Sequence, residues 1–155
     1  MLFNRSIGGV DILLRIDGYQ SPSKHEFGDY WCDCGFSFHF GEIINYEKDS
    51  DELLMPEEVD ELADALTDLL DGRITEPKEE MMTEPDFVFM LYPVKDLRTD
   101  SKYTYVKPGF EMQDIYVEWR IFFWNGGLTD NFLTINMDRE DITAFRDFLN
   151  SCRGE

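Results

Sequence analysis

The chain has 155 residues, 43% hydrophobic and 15% aromatic, with 33 acidic against 14 basic side chains and a formal net charge of −19. The apolar share argues for a folded chain and against disorder, while so negative a surface repels nucleic acid and acidic membranes and draws basic partners onto itself. No run approaches the roughly 18 apolar residues of a membrane helix, residues 1–7 are too short and polar for a signal peptide, and three cysteines without a secretion signal read as reduced thiols in a cytoplasm.

Length alone predicts one domain over residues 1–155. Residues 10–16 read as a first strand, with Val10, Ile12, Leu14 and Ile16 on one face, after a turn at Ile7-Gly8-Gly9-Val10. Residues 30–40 alternate over a long span: Phe36, Phe38 and Phe40 point one way, and Gly35, Ser37, His39 and Gly41 the other. That face is expected to continue through Ile44 and Tyr46 to an acidic turn at Asp49-Ser50-Asp51-Glu52. Pro56 suits the first position of a helix, and Glu57 and Glu58 suit the positive end of its dipole. Val59, Leu62, Ala63, Leu66, Leu69 and Leu70 recur at spacings of three and four, which makes one apolar stripe, and Gly72 closes the helix.

Residues 75–85 form a polar connection, and residues 87–92 a strand apolar on both faces and therefore central. Residues 93–112, rich in charge, Gly and Pro, are predicted to hold one short strand at 103–106. Residues 115–124 alternate strongly, Asn125-Gly126-Gly127 supplies a tight hairpin, and residues 132–137 return as the partner strand. Asp138 caps a last helix whose buried stripe is Ile142, Phe145, Phe148 and Leu149. The order, roughly β-β-α-β-(β)-β-β-α, predicts an α+β domain with a mainly antiparallel sheet and two amphipathic helices.

Catalytic and metal chemistry find little to build on. Cys32-Asp33-Cys34 would put both thiols on the face of Phe36 and Phe38, while His39 points away, so zinc lacks converging ligands and buried structural cysteines are expected. His25 is the only other histidine, and neither a nucleophile elbow nor a glycine-rich phosphate loop follows any strand. Residues 49–52 lack the spaced glycine and glutamate of a calcium loop. No catalytic residue, metal or cofactor is expected.

Charge is the distinctive feature. Residues 42–86 hold 17 acidic side chains against Lys48, Arg73 and Lys78, a net charge of −14 centred on the predicted helix. Glu57, Glu58, Asp60, Glu61 and Asp64 would share its solvated face, followed by Asp68 and Asp71. Like charges so close cost stability unless something offsets them, and no local compensation is evident in the sequence. Glu57, Asp60, Glu61, Asp64, Asp68 and Asp71 are therefore the candidate contacts for a basic protein partner. A second candidate surface is the strand face carrying Tyr116, Phe122 and Trp124 beside Glu118 and Arg120, which would serve a general interaction or scaffold domain, for instance a homodimer.

Several segments in this order carry a family resemblance. They are Ile16-Asp17-Gly18-Tyr19-Gln20, Asp29-Tyr30-Trp31 before a long strand, the helix of Val59 to Leu70 with Gly72, the junction Thr83-Glu84-Pro85-Asp86-Phe87, and the strand-hairpin-strand-helix ending. Together they resemble the WapI-type bacterial immunity proteins that accompany polymorphic contact-dependent toxins. The resemblance implies a non-enzymatic cytoplasmic protein that binds and blocks a toxin domain, often a nuclease, and it brings no catalytic residues. An inhibitor that imitates phosphate toward such a domain is expected to be acidic, and electrostatic steering would speed its capture.

Overall fold

The computed structural model describes residues 1–24, 26, 30–50 and 52–154, except for the side chain of Ser50. His25, Asp29 and Asp51 lie outside the described residues. The first sheet is an antiparallel meander of β1 (Leu2–Ile7), β2 (Val10–Asp17), β3 (Asp33–Phe40) and β4 (Ile44–Ser50), paired in chain order. Gly8 and Gly9 both take positive φ, 58° and 83°, so the β1–β2 turn uses the backbone freedom that only glycine has cheaply. Gly41 (φ 53°) turns the chain again and breaks the long strand that alternation suggested. Tyr46 consequently sits beside Phe38 on the neighbouring strand, and Ile44 beside Phe40.

The helix α1 (Pro56–Leu70) separates this meander from β5 (Lys78–Met81), β6 (Phe87–Tyr92), a ribbon of β7 (Lys95–Asp96) and β8 (Met112–Gln113), then β9 (Tyr116–Trp124), β10 (Leu128–Met137) and α2 (Arg139–Arg153). The second sheet runs β10-β9-β6-β5, all antiparallel, with β6 interior as its two-sided apolar pattern requires. The class is α+β, as expected. Residues 103–106 form no strand; the short pairing lies at β7 and β8 instead, where Lys95 pairs with Gln113 and Asp96 with Met112. β1 and β5 are edge strands whose polar outward residues hid them in the sequence.

Aromatic packing joins the layers. Phe36 of the first sheet meets Phe87 of the second edge-on at 4.8 Å. Phe145 of α2 lies 5.1 Å from Phe3, 5.8 Å from Phe89 and 5.2 Å from Trp119, so one ring touches both sheets. The predicted stripe of α2 is buried, and its Asp138 cap accepts from the Asp141 N–H at 3.0 Å. Cys32 and Cys34 are buried free thiols among these side chains, and burial holds Cys32 up at about 12. Among the described residues no helix is long and apolar enough to cross a membrane.

Candidate functional site

The acidic face begins with the way α1 starts. Met55 is extended at the N-cap, Pro56 follows, and the Glu58 carboxylate turns back to accept from the Met55 N–H at 2.9 Å and from the Thr83 N–H. Glu58 is thus buried and structural, not part of a solvated face. Val59, Leu62, Ala63, Ala65, Leu66 and Leu69 fill the core side. On the other side Glu57, Glu61, Asp64, Asp68 and Asp71 follow one another at four, three, four and three residues, which lines them along a single stripe. Asp60 lies at the border of this stripe and accepts from the Tyr19 hydroxyl at 2.8 Å. Burial and this bond to a carboxylate raise the Tyr19 phenol to about 12, so the hydroxyl stays a donor.

The expectation of an uncompensated face is corrected by two arginines. Arg153, in the last turn of α2, reaches Asp60 at 3.2 Å and Asp64 at 2.9 Å. Arg73, just past the end of α1, holds Asp68 at 2.6 Å and Asp71 at 2.5 Å. Glu61 is exposed and has no ion pair among the described residues. The acidic stretch is also less concentrated on the helix than its composition suggested: Asp49 lies on the outward face of the first sheet, 3.8 Å from Arg15, which also pairs with Asp17 at 2.9 Å and Asp33 at 3.1 Å.

One member of the acidic stretch is fully enclosed. Asp86 is 1% exposed and pairs at 2.6 Å with Lys48 of β4, whose ammonium also lies 4.2 Å above the Trp124 ring. The Phe122 N–H donates to the Asp86 carbonyl at 2.9 Å, so the Glu84-Pro85-Asp86 junction is clamped between the two sheets. Sequence reasoning counted Asp86 with the rest of the acidic stretch and gave it no structural role. The available signal was its place directly before an apolar strand, with Lys48 the lone cation of residues 42–72.

The second candidate surface is the face of β9 turned away from the helices. Tyr116 stacks on Tyr92 at 4.4 Å with 10° between planes, and Phe122 meets Phe132 at 4.9 Å. Glu118 and Arg120 pair between them at 2.9 Å, and Trp124 lies under Lys48. Tyr116, Phe122 and Trp124 are half-buried on this face, because α2 packs against the opposite face at Phe89 and Trp119.

The sequence model of one protein family, described as Immunity protein WapI-like family, matches residues 1–153. The chain belongs to this family. No curated protein and no solved structure matches it.

Proposed function

We propose that this WapI-like immunity protein acts without catalysis, binding and blocking a basic toxin domain in the cytoplasm, with the α1 face as the contact. The observation that carries the reading is the stripe of Glu57, Glu61, Asp64, Asp68 and Asp71 on one side of α1, in a chain of net charge −19. Such a stripe favours cationic partners, raises association rates at low salt and discriminates against acidic competitors. A nuclease domain, which must present positive charge to phosphates, is the toxin class that fits.

The test is kinetic binding between the full chain and the C-terminal domain of a large secreted protein encoded beside its gene. The association rate should fall steeply between 50 and 500 mM salt. Replacing Glu61, Asp64, Asp68 and Asp71 with Lys should slow association about 10- to 100-fold while leaving the folded circular-dichroism spectrum intact. Undiminished capture by that variant would sink the acidic contact, and no capture by the parent chain would sink the toxin partner.

The half-buried face with Tyr116, Phe122 and Trp124 favours a second reading, an interaction domain that pairs with its own copy. Light scattering that finds a monomer at every concentration removes it.

A further inference from the structure

A strand at the edge of a sheet presents unpaired N–H and C=O groups that invite another strand, and proteins guard such edges with charge, brevity or cover. In the two four-stranded sheets, three of the four edges are guarded in this way. β5 has four residues, three of them Lys78, Glu79 and Glu80. β4 carries Glu47, Lys48 and Asp49. β1 is tied to α2, with Arg5 reaching Asp141 at 2.5 Å and Phe3 packed 5.1 Å from Phe145. β10 is the exception: it runs for ten residues, and Asp130 is its single charge.

The pairing of β9 fixes which backbone groups of β10 stay unpaired. The Phe122 N–H donates to the Asp86 carbonyl on the β6 side at 2.9 Å, so alternation turns the backbone of Ile121, Trp119 and Val117 toward β10. Their partners Leu133, Ile135 and Met137 bond back to β9, which leaves the N–H and C=O groups of Phe132, Thr134 and Asn136 on the open side. All three residues are exposed. Among the described residues no strand pairs with that side; β1 comes near it and forms no ladder. The irregularity between Leu128 and Phe132 confines the regular edge to residues 132–137.

We propose that the Phe132 to Asn136 edge receives an extended segment of the basic toxin domain as an added strand, with Lys or Arg near its ends meeting Asp130 and Asp138. The inference rests on the toxin-binding reading above, but not on which helix face the toxin meets. Open backbone groups call for a strand, and charge says which one. Residues 125–138 hold two carboxylates, one toward each end of the free edge, and no basic side chain. The nearby cations are taken up: Arg139 by Asp114 at 2.5 Å, and Arg120, opposite Thr134 on β9, by Glu118 at 2.9 Å. A second copy fits worse. The two-fold register centred on Thr134, which uses all three free residues, brings Asp130 of each chain to Asp138 of the other, and facing like charges are destabilising. Two chains of net charge −19 also repel each other. In strand addition the main-chain bonds hold the partner, while side chains select it.

The experiment measures amide hydrogen exchange of the full chain, free and bound to the same neighbouring toxin domain, with light scattering beside it. In the free chain the Phe132, Thr134 and Asn136 amides should exchange fast, and in the complex they should slow by at least about 100-fold. Thr134→Pro removes the central donor at a place where an edge strand tolerates proline, and toxin dissociation should accelerate about 10- to 100-fold. If that variant fails to fold, Thr134→Lys with Asn136→Lys, both at exposed positions, sets like charge against the incoming strand and should have the same effect. Equal exchange of the three amides in the free chain and the complex, or undiminished hold by the folded variant, overturns the added strand and leaves the toxin reading standing. Failure of the parent to bind overturns both. Protection already present in the free chain also overturns the proposal, and a dimer in light scattering then makes the occupant a second copy of this chain.

Discussion

Two sets of ion pairs in this molecule use the same chemistry to opposite ends. Lys48 and Asp86 meet where the two sheets join, with the carboxylate 1% exposed, whereas Arg73 holds Asp68 and Asp71 in open solvent at the end of α1. In the enclosed pair the Asp86 carboxylate depends on Lys48, since at 1% exposure it finds almost no water if its partner is lost. In the exposed pairs water and salt stand ready to replace either partner, so little stability is at stake. Charge at the junction therefore serves the fold, whereas charge on the helix face contributes little to it.

The comparison breaks most readily at its enclosed end. Lys48→Ala leaves the Asp86 carboxylate, 1% exposed, without its cation and should cost about 3–5 kcal/mol in urea unfolding; an unchanged midpoint would show that the junction tolerates a lone carboxylate. Glu58→Ala should cost less, about 1–3 kcal/mol, because it strips the acceptor from the Met55 and Thr83 N–H groups while removing no ion pair. A loss confined to α1 unfolding by hydrogen exchange, with residues 82–87 still protected, would show that the Thr83 bond carries nothing. Arg73→Ala should leave the urea midpoint close to the parent's, and any difference should vanish in 1 M salt. A larger, salt-insensitive loss would place these surface pairs in the same class as the junction.

Both helices were legible from the sequence because their signals are local. Pro56, the three-and-four spacing to Leu69 and the glycine at Gly72 bound α1, and Asp138 with the Ile142 to Leu149 stripe bound α2. The hairpin between β9 and β10 was legible for the same reason, although β10 starts earlier, at Leu128. Pairings between distant segments were not. Nothing near β6 announces that it lies between β5 and β9, and a strand such as β1, with Leu2, Asn4 and Ser6 exposed, has too weak an alternation to stand out. The acidic stripe was readable from spacing, but its neutralisation was not. Arg153 is 89 residues from Asp64, and only the packing of α2 against α1 brings them together. The enclosed Asp86 escaped for the same reason, because its partner sits 38 residues earlier on the other sheet.

Arg153 and Arg73 give the α1 face a property that its formal charge conceals. They already occupy four of its carboxylates with guanidinium groups. On the proposed reading, docking there is an exchange reaction in which incoming cations displace resident ones tethered to the same chain. The salt dependence of capture would then count the difference between guests and residents, and would be shallower than a tally of the carboxylates suggests. A chain carrying its own counter-ions can keep a dense acidic surface folded while it waits, and release that surface only to a partner whose cations fit better than its own.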